Sequence, residues 1–300
     1  MKTFKLFLLA LIGFGIIGCA SAQTKKGEND EKPGTKTTKT NGKPMNDKPI
    51  DKPASDDIKV LAQGAYSSIE QPFVFAARSK ETYVQLQNLV ENLPPVLEID
   101  FTRAAVVAAF AGTKNTGGYS VSIKNTGDKF LIETVKPPAD TMVTQVITAP
   151  FKVALVTLEE NNSLNLQLSA NWKNATQTYK ITSGAFESSG GFAGTRKKFD
   201  AEGTISVLNF GDYATLIFNL AGKGAEKTKN LTETASGLLT KEKVELARLD
   251  ARNFSENPKP PLKVSGTISG GKLSLVLEPV PTTVADGFQL RGKIEAARVG

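Results

Sequence analysis

The residue types that usually carry enzyme chemistry are scarce in this chain. Among its 300 residues there is no histidine, and the single cysteine is Cys19. A Ser-His-Asp or Cys-His catalytic pair therefore cannot form, and a zinc site would lack its commonest ligand. One cysteine also excludes a disulfide or a thiolate metal cluster within a single chain. No pair of Asp or Glu residues sits in a recognisable catalytic motif, so we predict a protein that is not an enzyme and holds no metal or cofactor.

The position of Cys19 predicts a covalent modification. Two lysines form a short basic region, and an apolar run follows over residues 6–17. This is the layout of a signal peptide, and the run is shorter than the roughly 20 residues of a membrane-spanning helix. The ending Ile-Ile-Gly-Cys resembles the lipobox of bacterial lipoproteins, whose cysteine is lipid-modified. We predict a lipoprotein signal peptide over residues 1–18 and lipidation of Cys19; a cut after Ala22 also fits ordinary secretion.

Residues 19–57 have the composition of a disordered tether. The dipeptide Lys-Pro recurs four times among Thr, Gly, Asn and Asp, and Met45 and Ile50 are the only large apolar residues between Ala20 and Ile58. So little apolar surface cannot offset the entropy that is lost on ordering. Together with the lipid anchor, this tether predicts localisation in the bacterial cell envelope, at the outer membrane, on its periplasmic or its surface-exposed side.

The rest of the chain is predicted to form two mainly β domains, residues 58–160 and 161–300, since its length suggests about two domains. In the first, residues 79–93 have the apolar spacing of a helix, with Ser79 placed to cap it. Strand-like runs surround this helix, at 73–75, 97–101, 106–110, 119–123, 130–132, 143–147 and 151–158. We therefore predict an α+β domain, an antiparallel sheet with one helix.

The second predicted domain contains strand signals throughout. Apolar and polar residues alternate over residues 164–172, and further strand-like runs recur up to residue 299. The tetrapeptide Gly-Thr-Ile-Ser occurs at residues 203–206 and 266–269, each time before another strand. About eight strands at this spacing predict an all-β sandwich or barrel. Residues 244–249 also fit a helix, and that alternative stays open at this stage.

The glycine-rich segment at residues 111–120 is the main candidate for a binding feature. It reads Ala-Gly-Thr-Lys-Asn-Thr-Gly-Gly-Tyr-Ser, between an apolar run and an alternating run. This pattern predicts strand, loop and strand, and a simple hairpin turn is one interpretation. A glycine-rich loop between strands can also bring its backbone close to a partner at little ordering cost.

Three stretches of the first predicted domain carry a family resemblance. Ile-Asp-Phe at 99–101, Ala-Ala-Phe-Ala-Gly-Thr-Lys-Asn-Thr-Gly-Gly-Tyr-Ser-Val at 108–121 and Gln-Val-Ile-Thr-Ala-Pro-Phe at 145–151 resemble the PrcB C-terminal domain, over roughly residues 60–158. That family is named for a lipoprotein that stabilises a surface protease complex. The resemblance implies a non-catalytic binding domain, with a partner-binding loop made of Thr113, Lys114, Asn115, Thr116, Gly117, Gly118 and Tyr119. The family often carries proline at the position of Asn115, so the loop here lacks one restraint.

A second similarity keeps other functions open. Residues 115–119 are similar to the Asn-Pro-Thr-Thr-Gly-aromatic loop of chagasin-type inhibitors, in which an immunoglobulin-like sandwich inserts a loop into the cleft of a cysteine protease. The proline and one threonine of that loop are absent here. Inhibition of a protease by the loop is therefore an alternative function. Carriage of an apolar ligand by the second domain is another.

Charge does not favour a nucleic-acid partner. The formal net charge is +7, and the one tight basic cluster, Thr-Arg-Lys-Lys at residues 195–198, lies in a Gly/Ser-rich stretch. Binding of nucleic acid would require a broader basic face with aromatic residues interleaved. We therefore predict a membrane-anchored, non-enzymatic lipoprotein that binds and stabilises a secreted or surface protein, with a protease complex as the leading candidate partner.

Overall fold

The computed structural model describes residues 57–158, 163–189, 197–223, 228–249, 262–279 and 289–300. The predicted signal peptide, Cys19 and the predicted tether up to residue 56 lie outside these ranges. Lys52–Gly300 forms one compact unit, and its architecture is mainly β, as predicted. None of the helices within the described ranges is long and apolar enough to cross a membrane.

The first sheet has four antiparallel strands around a central apolar run. Its strand order is β1-β6-β3-β2, with β1 at Ile58–Gly64, β2 at Pro72–Ala77, β3 at Ala104–Ala111 and β6 at Phe151–Thr157. All eight residues of β3 are buried. A continuous run of small and β-branched residues is typical of a strand that is covered on both faces.

A smaller sheet of three strands packs beside the first. Its order is β4-β5-β7, with β4 at Ser120–Asn125, β5 at Phe130–Val135 and β7 at Leu166–Leu168. Strands β4 and β5 are antiparallel, whereas β5 and β7 are parallel. Strand β7 therefore pairs with a strand that precedes residue 160, and the division into domains at that residue stays a prediction.

One α-helix forms where it was predicted but is shorter. Helix α1 spans Lys80–Gln87 instead of residues 79–93. Ser79 caps its start, as predicted: the Thr82 N–H donates to Ser79 Oγ at 3.3 Å, and the Ser79 N–H donates to Thr82 Oγ1 at 3.1 Å. This reciprocal pairing satisfies two backbone donors at the start of the helix.

The C-terminal part of the chain forms a closed barrel of eight strands. Each strand pairs antiparallel with the next, and the last pairs with the first. The prediction of about eight strands in a sandwich or barrel is thus confirmed, with closure as a barrel. The strands are β8 (Gln177–Ser189), β9 (Lys197–Phe210), β10 (Tyr213–Lys223), β11 (Thr228–Thr240), β12 (Lys243–Leu249), β13 (Leu262–Ser269), β14 (Lys272–Pro279) and β15 (Gln289–Arg298).

Apolar side chains fill the inside of the barrel. They form one cluster, in which Phe218, Leu246, Leu275 and Ile294 have no exposed surface. An interior of eight strands is just wide enough for side chains to fill. The barrel is therefore a packed core.

The repeated tetrapeptide has a structural role in the barrel. Gly203 pairs with Leu220 in the next strand, and Gly266 pairs with Leu275. A Cβ atom on either glycine would collide with a backbone oxygen of that neighbouring strand, of Asn219 or Ser274 respectively. The repeat thus marks two places where adjacent strands approach too closely for any side chain.

A predicted strand over residues 97–101 is wrong. Val96–Glu98 is a short 3-10 helix, and the Asp100 carboxylate accepts hydrogen bonds from Thr102 Oγ1 at 2.6 Å and from the Thr102 N–H at 2.9 Å. Such local bonds compete with strand pairing. The same two bonds lower the pKa of the Asp100 carboxyl.

The structure corrects one strand prediction in the second half of the chain and decides between two alternatives for another segment. The strand expected over residues 164–172 is only the three residues of β7, and helix α2 (Ala170–Lys173) follows it. Trp172 is buried, and its Nε1–H donates to Thr134 Oγ1 at 3.1 Å, so the helical turn fixes the indole against β5. Residues 244–249 belong to strand β12, which pairs with β11 and β13, and the helical alternative is wrong.

A buried ion pair joins the first sheet to the barrel. Arg78, directly after β2, pairs with Glu233 in β11, and their side chains are 2% and 0% exposed. The Glu233 carboxylate also accepts a hydrogen bond from the Leu164 N–H at 3.1 Å. Residues from three distant parts of the chain therefore meet at one carboxylate.

Hydroxyl groups and aromatic rings extend this contact along β2. Thr215 Oγ1 donates to Val74 O at 2.5 Å, and the Ala76 N–H donates to Ser236 Oγ at 2.8 Å. The rings of Phe75 and Tyr213 meet edge to face at 5.9 Å. Strand β2 is thus paired with β3 through its backbone and fixed to the outside of the barrel.

We predict that the Arg78–Glu233 pair is indispensable for stability. Arg78→Met leaves the Glu233 charge buried without its guanidinium, and the free energy of unfolding should fall by about 3–5 kcal/mol. Urea unfolding of the full chain measures this change. Lys223→Met is the matched control, because Lys223 pairs with Glu202 at 2.9 Å with both side chains more than half exposed, and such pairs contribute about 0–1 kcal/mol. Equal losses in the two variants would contradict the prediction.

Candidate docking loop

The candidate loop, residues 112–119, connects the two small sheets. It leaves β3 in the four-stranded sheet and enters β4 in the three-stranded sheet. The flanking strands are thus confirmed, but the hairpin interpretation is wrong because β3 and β4 do not pair. Strand β3 already has β6 on one side and β2 on the other, so β4 has no free edge to join there.

The loop is held instead by a second stretch of chain, the companion segment at residues 142–148. The Lys114 N–H donates to Thr148 O at 2.7 Å, and the Thr148 N–H donates to Lys114 O at 2.9 Å. The Gly117 N–H donates to Thr144 O at 2.8 Å, and Thr148 Oγ1 donates to the Thr116 carbonyl at 3.0 Å. Four hydrogen bonds therefore fix the loop against its companion.

The companion segment is irregular, and the strand predicted over residues 143–147 is wrong. Its β-type pairing with the loop is limited to one isolated bridge, between Lys114 and Thr148. The segment also contains most of the Gln-Val-Ile-Thr-Ala-Pro-Phe stretch at residues 145–151. The fold thus brings two stretches that carry the family resemblance, residues 108–121 and 145–151, into direct contact, although they are about 30 residues apart in sequence.

Two adjacent glycines are required by the space and the backbone angles of the loop. A Cβ on Gly117 would collide with Thr144 Oγ1. Gly118 has a φ of +80°, and a Cβ there would lie 2.9 Å from Pro137 Cβ and 3.0 Å from Val143 Cγ1. Only glycine adopts such a φ readily, so the Gly-Gly pair lets the loop lie flat on the companion segment.

Lys114 braces the loop from within. Its ammonium donates to the Ala111 carbonyl at 2.6 Å and to the Thr113 carbonyl at 3.3 Å. Burial lowers the pKa of this ammonium, since desolvation disfavours the charged form. The Lys114 ammonium therefore stabilises the loop by binding its carbonyl groups, and less of its hydrogen-bonding capacity is left for an outside partner.

The other predicted site residues divide into exposed and covered ones. Thr113, Asn115 and Gly118 are exposed, Thr116 and Tyr119 are half-buried, and Gly117 is buried. The exposed residues of the loop are therefore few, and none of them is charged. A role for these seven residues in binding stays a prediction.

Sequence reasoning missed an apolar surface on the companion segment. Met142 is 98% exposed, Ile147 is 68% exposed, and Val146 is partly exposed. The run Val-Thr-Gln-Val-Ile has the pattern of a strand. Pattern alone does not show that its apolar side chains are exposed. Tyr66 is also exposed, and it follows Ala65, whose carbonyl accepts from the Ala149 N–H at 2.9 Å.

Comparison with protein families identifies the part of the chain that builds this site. Residues 105–157 match the PrcB C-terminal family model. This confirms the suspected resemblance over a span that is shorter than the predicted 60–158 and makes up about a sixth of the chain. Comparisons with curated proteins and with solved structures give no match.

The matched segment, residues 105–157, contains both the candidate loop and its companion segment. It runs from β3 through the loop, β4, β5 and the companion segment to β6. The PrcB C-terminal family is not an enzyme family. Within the described ranges, no group of three or more Asp, Glu, His or Cys side chains could hold a metal ion.

We predict that Gly118→Ala destabilises the matched segment through a steric contact as well as through backbone strain. Gly127 is the matched control, because it has a φ of +95° and a Cβ added there would have no atom within 4 Å. Both alanine variants incur the strain of a positive φ, about 1 kcal/mol. Gly118→Ala should lose about 1–2 kcal/mol more, because its Cβ overlaps Pro137 and Val143. Urea unfolding measures both; equal losses would mean that the loop can move away from its companion.

Proposed function

We propose that this chain is a lipid-anchored, non-enzymatic docking protein of the bacterial cell envelope, which binds and stabilises a secreted or surface protein. A protease complex is the proposed partner. The observation that carries this proposal is the family match, since it spans the segment that builds the loop and its companion. Cys19 supplies the proposed anchor, and the Lys/Pro-rich stretch after it supplies reach from the membrane.

The proposed contact surface is larger than the seven-residue loop. A stable interface buries about 800 Å² on each partner, which a short polar loop cannot supply alone. The exposed apolar side chains of Met142, Val146 and Ile147 lie in the companion segment, and apolar residues at the centre of an interface contribute most of its binding energy. We therefore assign the docking surface to the loop and the companion segment together.

Rigidity of the loop favours docking. Hydrogen bonds to Thr144 and Thr148 order the loop before a partner arrives. A preordered surface loses less conformational entropy on binding, so more of its contact energy appears as affinity. The same order also keeps Asn115 and Thr113 at fixed positions for recognition.

The two alternative functions have less support from the structure. An inhibitor of the chagasin type presents its loop from an immunoglobulin-like sandwich, whereas here the loop crosses between two small sheets. An apolar carrier needs an internal cavity, whereas the barrel is filled by buried side chains such as Phe218 and Leu275.

Site-specific photo-crosslinking tests the docking surface. We expect a photoreactive residue at Asn115 or Ile147 to crosslink to a subunit of a protease complex in the native envelope. Leu97 is the matched control position, because it is 83% exposed and apolar but lies outside the docking surface. Crosslinks of equal yield at all three positions, or none at Asn115 and Ile147, would remove the proposed surface.

The docking proposal also predicts that the chain leaves cysteine proteases active. Titration of papain with the purified chain up to about 10 µM should leave peptidase activity unchanged. A natural protease inhibitor would act well below this concentration, because protease–inhibitor complexes are among the tightest known. Stoichiometric inhibition that Asn115→Arg abolishes would favour the inhibitor alternative over docking.

A further inference from the structure

A cleft separates the small three-stranded sheet from the outer wall of the barrel. Its volume is about 410 Å³, within the range of about 300–1,000 Å³ that is typical of ligand pockets. One side is strand β7 with the turn between β4 and β5, and the other side is the outer face of β9, β10 and β11. The cleft shares no residue with the docking loop or its companion segment.

Within the described residues, no strand pairs with the edge of β7 that lies opposite β5, and β7 lines this cleft. The Asn165 carbonyl accepts from the Phe130 N–H at 2.8 Å, and the Ser169 N–H donates to the Ile132 carbonyl at 3.0 Å. Backbone groups of successive residues in a strand point to opposite sides. The N–H and C=O groups of Leu166 and Leu168 therefore point away from β5.

Leu166 and Leu168 form part of the cleft wall. Both line it, and as whole residues, backbone and side chain together, they are only 4% and 6% exposed. Only a narrow strip of each leucine therefore reaches the opening. Among the described residues β7 is the last strand in the order β4-β5-β7, so its edge away from β5 is the one on the side of the barrel wall.

The opposite wall offers short polar side chains on three neighbouring strands. Ser206 lies in β9, Asn219 in β10 and Thr232 in β11, and Asn219 and Thr232 are direct cross-strand partners. Beneath them, Ile217 is 4% exposed. This wall combines hydrogen-bonding groups that can donate and accept with an apolar base, which suits the backbone and small side chains of an extended peptide.

Charge at the cleft favours an acidic occupant. Lys129 and Lys173 line it, and neither forms an ion pair within the described part of the chain. Asp128 is the carboxylate among the lining residues, so the balance is two cations to one anion. An exposed ion pair contributes little energy. The lysines therefore contribute more to the selectivity for an acidic ligand than to its affinity.

We propose that this cleft binds an acidic peptide segment in extended conformation, which adds to the small sheet as a fourth strand beside β7. The backbone of the peptide bonds to the Leu166 and Leu168 N–H and C=O groups, and its acidic side chains lie near Lys129 and Lys173. Strand addition of this kind obtains affinity from main-chain hydrogen bonds and specificity from the side chains along the groove.

Fluorescence anisotropy with two labelled pentapeptides tests the chemistry. The probes are Val-Glu-Val-Asp-Val and Val-Lys-Val-Lys-Val, titrated with the full chain in mild detergent. The acidic probe should bind at least about tenfold more tightly, and the double change Lys129→Glu and Lys173→Glu should remove that preference. Asn219→Trp should abolish binding by filling the cleft, whereas Thr267→Trp, on exposed surface of β13, should leave it unchanged.

Hydrogen exchange distinguishes an added strand from loose adsorption. Bound acidic peptide should slow exchange at the Leu166 and Leu168 amides by about tenfold or more, with little change at Ser169, whose N–H is already bonded. The proposal would be overturned if the acidic peptide did not bind, if Asn219→Trp bound it unchanged, or if protection from exchange appeared only elsewhere. Binding of an oligosaccharide, chitotetraose, in place of the peptide would also overturn it. If Asn219→Trp does not fold, the lysine reversals decide it.

Discussion

The buried pair between Arg78 and Glu233 is the constraint on which the arrangement of the chain depends. Two charges removed from water are tolerable only when they meet each other and further hydrogen-bond partners, because one left alone would cost several kcal/mol. The pair lies between the end of β2 and the middle of β11, which are 155 residues apart. The Leu164 N–H completes the site from a third part of the chain. A different packing of the small sheets on the barrel would separate these groups.

The position of the candidate loop depends on this contact. Strand β2 is fixed to the barrel, β3 pairs with β2, and the loop begins where β3 ends. The loop then takes its shape from the companion segment, which leads directly into β6, the other neighbour of β3. The PrcB C-terminal match covers β3 and β6 but neither β2 nor the barrel. The matched segment thus contains the candidate site, and the rest of the chain fixes the position of that segment.

Local patterns predict those parts of the structure that depend on local chemistry. The cap at Ser79 and the alternating barrel strands, such as Leu273, Leu275 and Leu277, follow from hydrogen-bonding groups and periodicity, and the structure confirms them. Sheet membership depends on distant partners, so the same patterns suggested a hairpin of β3 and β4 that does not exist. Arg78 and Glu233 look like ordinary surface charges until their neighbours are known. The exposure of Met142 and Ile147 is likewise a property of the packing, whereas the Gly-Gly pair of the loop can be identified in the sequence itself.

The two candidate surfaces differ in how much backbone they can offer a partner. In the candidate loop, the backbone groups of Lys114, Thr116 and Gly117 are already bonded to the companion segment, so the proposed docking would rest on side chains and on shape. The docking proposal therefore favours a single partner, whose surface must fit a loop that is already ordered. At the edge of β7, the proposed peptide site would use main-chain groups that can pair with any extended chain, and its selectivity would come from charge and from the small polar wall. Under the two proposals together, the loop surface would select the complex and the edge of β7 would hold a segment of it.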